Sequence, residues 1–183
     1  MFNSRKVILY IAMSLDGYIA GKDDDLSFLS LVEKEGEDYG YSEFISSIDT
    51  VIMGRKTFDK VLSFGIPFPH SALKTYIITR TSRPPNELIE FYNGDLSALI
   101  AGLKQSSGKH IFVDGGAEIA AELMKNNLID ELVISIIPTL LGDGVLLFKK
   151  FIPRSILKLQ SVKTFPSGLV QLCYSMNAEE KLP

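Results

Sequence analysis

The sequence contains very little cysteine and no long apolar run. Cys173 is the single cysteine among 183 residues, so no disulfide can form within the chain, which fits a reducing cytoplasm. It lies in an apolar stretch with no histidine nearby, which favours a packed thiol over a nucleophile. No apolar run is long enough to span a membrane, and residues 7–13 are too few and too poorly flanked for a signal peptide. We therefore expect a cytoplasmic protein without a membrane partner.

Positive charge is not in excess either. The chain has 19 Lys+Arg against 22 Asp+Glu, a net charge of −3, so a nucleic-acid partner is not expected. His70 and His110 are the only histidines; they lie far apart and have no cysteine partners. The acidic run at residues 23–25 has no further ligands at a metal-binding spacing. We expect no metal site.

The composition is that of an ordinary globular protein, with 46% hydrophobic and 22% charged residues, which excludes wholesale disorder. No internal repeat, low-complexity tract or linker divides the chain. We expect residues 1–183 to form a single domain with its core over residues 6–176 and a polar, frayed tail.

Five short apolar runs predict buried strands, at residues 6–13, 50–53, 75–79, 110–114 and 132–137. Helical periodicity separates them over residues 42–48, 56–62, 95–103 and 116–126, with Asp95 as a predicted N-cap. This alternation predicts a largely parallel sheet. Near the end of the chain, residues 157–163 and 169–176 flank Phe165-Pro166-Ser167-Gly168, which predicts a hairpin. The predicted fold class is α/β, a sandwich whose mostly parallel central sheet ends in an antiparallel hairpin.

Small, polar and cationic residues follow these strands, at the sheet edge where parallel sheets bind ligands. Gly54-Arg55-Lys56-Thr57 stands where a strand passes into a helix, and free N–H groups, the helix dipole and two cations would suit a phosphate. No glycine lies five positions before Gly54, so the segment is not a Walker loop. The alternative is a plain helix start with solvated cations.

Two further glycine segments lie at strand ends. Gly115-Gly116 would let the backbone approach a ligand, or would simply form a tight turn. Gly142-Asp143-Gly144 begins like a dinucleotide fingerprint, but Leu147 stands where the next glycine is required, so a Rossmann motif is excluded. The chain has no Gly-x-Ser-x-Gly elbow, which removes the commonest hydrolase interpretation.

Taken in order, four segments resemble the dihydrofolate reductase superfamily. The closest branch is the reductase domain of the riboflavin-biosynthesis deaminase/reductase, the RibD C-terminal domain, with its stand-alone bacterial relatives. The segments are Ser14-Leu15-Asp16-Gly17-Tyr18-Ile19-Ala20, Val51-Ile52-Met53-Gly54-Arg55-Lys56-Thr57, Asp114-Gly115-Gly116 and Pro138-Thr139-Leu140-Leu141-Gly142-Asp143-Gly144. The resemblance covers residues 6–176 and implies a dihydrofolate-reductase-like three-layer sandwich.

The resemblance also implies NADPH, bound across the carboxyl edge of the sheet. An arginine beside a hydroxyl suits the 2′-phosphate of NADPH, which NADH lacks. The implied contacts to phosphates and adenosine are Gly54, Arg55, Lys56, Thr57, Thr79, Arg80, Ser82 and, as a further option, Arg83; those to diphosphate and ribose are Gly115, Gly116, Ala117 and Glu118; those to nicotinamide are Ala12, Ile19 and Ala20. The Gly-Gly peptide is often cis in this superfamily.

The implied activity is hydride transfer to a pyrimidine- or pterin-like molecule, as in 5-amino-6-(5-phosphoribosylamino)uracil reductase. The sequence departs from dihydrofolate reductases, because residues 70–75 lack the arginine that holds the glutamate tail and Phe28 replaces the usual tryptophan. Among Glu33, Glu37 and Asp38, no motif selects a pterin-binding carboxylate. Two alternatives stay open: a dihydrofolate reductase, and an NADPH-binding module of this fold without turnover.

Asp16 is the best-placed candidate for a catalytic carboxylate, directly after the first strand, with a turn residue that bonds its own backbone as the alternative. A homodimer is the expected assembly, as in the relatives that the chain resembles. The apolar residues that would form its interface are Leu140, Leu141, Val145, Leu146, Leu147, Phe148, Phe151 and Ile152.

Overall fold

The computed structural model describes residues 5–81, 83–85, 87–150 and 152–176; the tail expected to fray lies outside this part. Ten strands are described: β1 (Val7–Ser14), β2 (Tyr18–Ala20), β3 (Ile48–Gly54), β4 (Lys74–Ile78), β5 (Ile89–Tyr92), β6 (His110–Gly115), β7 (Glu131–Ile137), β8 (Val145–Leu146), β9 (Leu157–Thr164) and β10 (Val170–Met176). The α-helices are α1 (Tyr41–Ser46), α2 (Arg55–Ser63), α3 (Leu96–Gln105) and α4 (Ala117–Lys125). Short 3-10 helices cover Lys22–Asp24 and Ser27–Val32.

Eight strands form one sheet in the order β5-β4-β3-β6-β1-β7-β10-β9. The pairs from β5 to β7 are parallel, and β10 and β9 continue the sheet antiparallel. A two-stranded ribbon of β2 and β8 lies beside it. The predicted α/β class, the mostly parallel sheet and the C-terminal hairpin are confirmed.

The central strands are apolar on both faces because both faces are covered. On one face Ile52 and Val113 pack against α3 and α4 through Ile100 and Leu123. On the other face the core includes Phe58 of α2 and Phe112 of β6, with residues of α1 packed against them. This is the three-layer sandwich that the resemblance implies, and it explains why these strands read as unbroken apolar runs.

Strand β5 was not among the predicted strands. It has only four residues, and the run includes Glu90. All four are half-buried because β5 is the outer strand of the sheet, paired with β4 on one side only. β5 therefore lacks the length and the apolar content by which the central strands are recognised in the sequence.

The lone cysteine, Cys173, lies half-buried in β10. Burial raises the pKa of its thiol, so the sulfur stays protonated at neutral pH, as expected for a packed thiol. Within the described ranges, no helix is both long and apolar enough to cross a bilayer.

Arg5, which precedes β1, is hydrogen-bonded to the C-terminal end of α3, to the residue before β6 and to β3. Its guanidinium donates hydrogen bonds to the carbonyls of Lys109 (2.7 Å) and Leu103 (3.1 Å), and to the hydroxyls of Ser106 (2.8 Å) and Thr50 (2.7 Å). It also pairs with the carboxylate of Asp49. The side chain is 5% exposed, so these bonds compensate its loss of water.

We expect Arg5→Met to lower the free energy of unfolding by about 2 kcal/mol, since it keeps the apolar stem and strips several charged hydrogen bonds. The value lies below that for a fully buried pair because Asp49 is 37% exposed and water can reach its carboxylate. In a domain of this size the melting temperature should fall by roughly 4–8 °C. Arg154, an exposed arginine, provides the control Arg154→Met, which should melt like the wild type. Equal melting of the two variants would contradict a structural role for Arg5.

Candidate active site

A cleft of about 1060 Å³ runs along the carboxyl edge of the sheet. Residues at the ends of β5, β4, β3, β6 and β1 all line it, from Tyr92 at one end to Ala12 at the other. Because neighbouring strands lie about 4.8 Å apart, five strands span roughly 19 Å. The cleft is therefore long enough for an extended dinucleotide.

Two helices begin in this cleft without a side-chain cap. Helix α2 starts after Gly54 and α4 after Gly116, and neither N-cap offers a side chain to its first turn. In α3, by contrast, the carboxylate of Asp95 accepts a hydrogen bond from the amide of Ala98 at 2.6 Å, as predicted. The first-turn N–H groups of α2 and α4 are thus available to an anion, and the helix dipoles favour one there.

The two glycine turns are packed against each other. A Cβ added to Gly54 would lie 3.7 Å from the amide nitrogen of Gly116, and one added to Gly116 would lie 3.1 Å from the Oγ1 of Thr57. The peptide between Gly115 and Gly116 is cis, in agreement with the resemblance. The two glycines leave open a space that side chains would fill, at the point where the N-termini of α2 and α4 converge.

The cations near these two helix N-termini differ in whether they already form an ion pair with a carboxylate. Arg55 is paired with Asp59 at 2.6 Å, one turn along α2. Among the described residues, neither Lys56 nor Arg80 has a carboxylate within 4.0 Å, and both side chains are exposed. Lys56 and Arg80 could therefore bind a phosphate without first breaking an ion pair, as could Lys60, which also lines the cleft and has no described carboxylate within 4.0 Å.

The turn after β4 presents Arg80 to the cleft. Thr79 is buried, and its hydroxyl accepts a hydrogen bond from the amide of Thr81 at 3.1 Å. The side chain of Thr79 thus shapes the turn, and Thr79, Arg80 and Thr81 all line the cleft. Arg83 instead contacts Asp59 at 3.3 Å and lies over the ring of Phe91. Ser82, which was predicted to bind the cofactor, lies outside the described residues.

The opposite end of the cleft is apolar. Ala12, Ile19 and Ala20, the residues predicted to touch nicotinamide, all line it. Leu26 and Leu29 close this end and pack with Ala12 in one hydrophobic cluster. Of the remaining predicted residues, Gly54, Arg55, Lys56, Thr57, Gly116, Ala117 and Glu118 also line the cleft, and Gly115 contributes through its peptide with Gly116.

Asp16 does not line the cleft. Its carboxylate accepts hydrogen bonds from the amides of Leu141 (3.1 Å) and Gly142 (2.8 Å) and from the hydroxyl of Ser14 (2.5 Å). The bond from Ser14, with smaller contributions from the amides, lowers the pKa of Asp16. These contacts hold the loop after β7 against the turn after β1. The alternative role, a turn residue that bonds only its own backbone, is therefore too narrow. The catalytic role of Asp16 stays a prediction that these contacts do not support.

We expect Asp16→Asn to loosen this loop, since an amide offers one acceptor oxygen where the carboxylate offers two. Hydrogen exchange at the amides of Leu141 and Gly142 should speed up by about three- to tenfold, as after loss of one hydrogen bond. Asp143, an exposed carboxylate in the same loop, provides the control Asp143→Asn. Loss of turnover in Asp16→Asn with unchanged exchange would instead support catalysis by Asp16.

Two chemistry-bearing residues were missed by the sequence analysis. Asp114, at the end of β6, lines the cleft, and its Oδ2 lies 3.1 Å from the Nε2 of buried His70. Burial and the charge of Asp114 raise the pKa of the nearby Tyr41 phenol to about 12, so the phenol stays neutral. No motif marks His70, since only the folded chain brings residues 70 and 114 together; the place of Asp114 beside Gly115-Gly116 was the available signal.

Comparison with known proteins identifies the family. The profile of the RibD C-terminal domain matches residues 5–171. The chain belongs to the RibD C-terminal domain family. It is 40% identical over 171 residues to the uncharacterised protein YwjB of Bacillus subtilis (strain 168), a match that covers 93% of this chain and 97% of YwjB.

Solved structures of RibD-like proteins have the same fold. A crystal structure from Shewanella sp. PV-4, of a protein whose name ties it to riboflavin biosynthesis, has a TM-score of 0.85 and 32% identity over 94% of this chain and 99% of that one. The deaminase/5-amino-6-(5-phosphoribosylamino)uracil reductase of Thermotoga maritima has a TM-score of 0.70 at 15% identity, covering 95% of this chain and 57% of the longer protein. The second likeness shows the fold alone.

In this member of the RibD C-terminal domain family, none of the three carboxylates considered for pterin binding, Glu33, Glu37 and Asp38, lines the cleft. Glu37 accepts a hydrogen bond from the amide of Tyr39 at 2.9 Å, Asp38 accepts from the amides of Gly40 and Ser42, and Glu33 is exposed. The described carboxylates that line it are Asp24, Asp114, Glu118 and Glu122. The helix carboxylate that dihydrofolate reductases direct at pterin therefore has no counterpart among Glu33, Glu37 and Asp38.

Proposed function

We propose that this chain is an NADPH-dependent reductase of a small pyrimidine- or pterin-like molecule. The family is one of reductases, which supports reduction as the reaction class. The observation that best supports NADPH as the cofactor is that two uncapped helix N-termini converge on one cleft. They begin at glycines, whose missing side chains leave room for a ligand. NADPH, when bound, supplies the hydride.

The residues present fit this cofactor along its length. The first-turn amides of α2 and α4 would hold the diphosphate, with Lys56 beside them. Arg80 would pair with the 2′-phosphate, since it lines the cleft beyond β4 and has no described carboxylate partner. Ala12, Ile19 and Ala20 would bear the nicotinamide ring on small apolar side chains.

The substrate would lie beside Ala12, where Leu26 and Leu29 exclude water and Asp114 contributes a carboxylate. A pyrimidine with ring N–H and amino donors suits a carboxylate acceptor. The absence of Glu33, Glu37 and Asp38 from the cleft favours such a substrate over dihydrofolate. The proposed substrate class is therefore that of 5-amino-6-(5-phosphoribosylamino)uracil, in a cytoplasmic enzyme.

The test is oxidation of NADPH, followed by its absorbance, with this pyrimidine, with dihydrofolate and with simple ketones. Turnover of the pyrimidine with NADPH, slower with NADH, is the expected result. Turnover of dihydrofolate alone would establish the alternative dihydrofolate reductase. Binding of NADPH with no oxidation across the panel would establish a module without turnover, and no binding would overturn the proposal.

We further propose a homodimer formed around the turn between β1 and β2. Leu15, Leu140, Leu146 and Phe148 are exposed there, and Leu15 is joined to the loop after β7 by a hydrogen bond from its amide to the carbonyl of Thr139. Leu147 belongs to the core instead, and Phe151 lies outside the described residues. Clustered exposed apolar side chains are typical of an interface.

Light scattering coupled to size exclusion should give twice the 20.3 kDa of one chain. Leu140→Glu with Leu146→Glu should give a monomer, because both charges would be buried in the contact. The control pair Leu159→Glu with Val162→Glu, on exposed positions of β9, should stay dimeric. A wild-type monomer at high protein concentration would overturn this assembly.

A further inference from the structure

A buried histidine stands behind the carboxylate of Asp114. His70 is 4% exposed, and its Nε2 lies 3.1 Å from Oδ2 of Asp114, whose side chain is 25% exposed and lines the cleft. The other ring nitrogen, Nδ1, is buried without a hydrogen-bond partner among the described residues. The ring lies edge-on to Phe68 and Phe112, with centroids 5.4 and 5.6 Å away.

These surroundings fix the tautomer of His70. A proton on Nδ1 would be a buried N–H group with no acceptor, whereas a proton on Nε2 has the carboxylate of Asp114 as its acceptor. In the neutral form of the ring the proton therefore lies on Nε2, and Nδ1 keeps a bare lone pair. An apolar ring would fill this aromatic pocket without an unpaired nitrogen, so packing alone does not account for a histidine here.

The carboxylate of Asp114 keeps acceptor capacity on its cleft side. In the described part of the chain, Oδ1 receives no hydrogen bond, and Oδ2 receives only that of His70. Burial raises the pKa of the nearby Tyr41 phenol and that of Tyr10, which lies edge-on to Tyr41, so neither phenol adds charge at neutral pH. The Asp114 carboxylate is thus hydrogen-bonded to His70 on its buried side and can accept hydrogen bonds on the side that faces the cleft.

We propose that His70 is a positioning residue that aims the Asp114 carboxylate at the substrate end of the cleft, where it accepts N–H groups from an amino-substituted pyrimidine ring. This assignment rests on the proposed function for the substrate class. Two adjacent donors, a ring N–H and an exocyclic amine, match the two oxygens of a carboxylate whose rotation the histidine prevents. His70 acts through Asp114 and does not itself reach the ligand.

The probe is 5,6-diaminouracil, which carries those adjacent donors, and 1,3-dimethyluracil, which has no N–H group, is the control compound. Calorimetry with the full chain, with and without NADPH, would compare Asp114→Asn, His70→Phe and His70→Gln. Phenylalanine keeps an aromatic ring and removes the donor, while glutamine places an amide N–H close to the position of Nε2. NADPH is titrated separately with each variant.

The wild type is expected to bind 5,6-diaminouracil and not 1,3-dimethyluracil. His70→Phe should weaken binding by about tenfold, Asp114→Asn by more, and His70→Gln by no more than about threefold. The double variant His70→Phe with Asp114→Asn should bind no more weakly than Asp114→Asn alone, since His70 acts through Asp114. Nitrogen-15 spectra of the two imidazoles should place the proton of His70 on Nε2.

Wild-type affinity in His70→Phe, equal losses in His70→Phe and His70→Gln, or no binding of 5,6-diaminouracil by the wild type would each overturn the assignment. The NADPH titrations separate this failure from failure of the proposed function. NADPH affinity should change by less than about twofold in every variant, because neither residue lies among the phosphate-binding groups. A wild type that binds 5,6-diaminouracil but not NADPH would keep the His70–Asp114 assignment and overturn the cofactor.

Discussion

Replacing Arg80 by alanine should remove most of the preference of this chain for NADPH over NADH. Arg80 is an exposed cation that lines the cleft, and no described carboxylate lies within 4.0 Å of it. The two cofactors differ only in the 2′-phosphate, so a contact to that group affects one of them. NADPH affinity should fall and NADH affinity should stay the same.

The expected loss is roughly 30-fold, within the range of about 1.5–3 kcal/mol for hydrogen bonds to charged groups. The contact is exposed, so the loss should shrink as salt is added. Arg154→Ala removes one positive charge from an exposed site outside the cleft and controls for net charge. An unchanged ratio of NADPH to NADH affinity in Arg80→Ala would exclude Arg80 as the phosphate ligand.

Gly116→Val should abolish cofactor binding while leaving the fold intact. The added Cβ would lie 3.1 Å from Oγ1 of Thr57, and the valine methyl groups would occupy the space between the starts of α2 and α4. Since the diphosphate is proposed to lie there, affinity should fall by more than about 100-fold, the effect of losing several charged hydrogen bonds together. The N–H groups of both helices would be screened from the ligand at once.

Three matched variants separate a blocked site from a damaged fold. Gly102 is exposed in α3 with nothing within 4 Å of an added Cβ, so Gly102→Val should bind like the wild type. Gly116→Ala should weaken binding less than valine does. Adding Thr57→Ala to Gly116→Ala removes the hydroxyl that the new methyl group meets, but it also removes a predicted phosphate contact, so it should not restore the affinity. Full affinity in a folded Gly116→Val would show that the ligand does not approach this turn.

The features that the sequence predicted well are those that local patterns encode. The buried strands have apolar runs because both faces of the sheet are covered, and the helix at Asp95 has its cap in the sequence. Strand ends of a parallel sheet share one edge, so Gly54 and Gly116 could be assigned to one site before their contact was known.

The features that the sequence did not predict depend on contacts between distant residues. His70 and Asp114 are 44 positions apart, and Arg5 bonds to groups near residues 50 and 109. Asp16 belongs to the clearest polar motif near β1, yet its carboxylate accepts a hydrogen bond from Leu141, which lies 125 positions further on in the loop after β7. A motif places a residue near a site, but the direction of its side chain depends on partners that periodicity does not reveal.

The most direct test of the central claim is a crystal structure of the full chain with NADPH. The diphosphate should lie between the first turns of α2 and α4, with the 2′-phosphate at Arg80 and the nicotinamide against Ala12, Ile19 and Ala20. NADPH bound elsewhere, or a cleft that stays empty at saturating cofactor, would contradict the account.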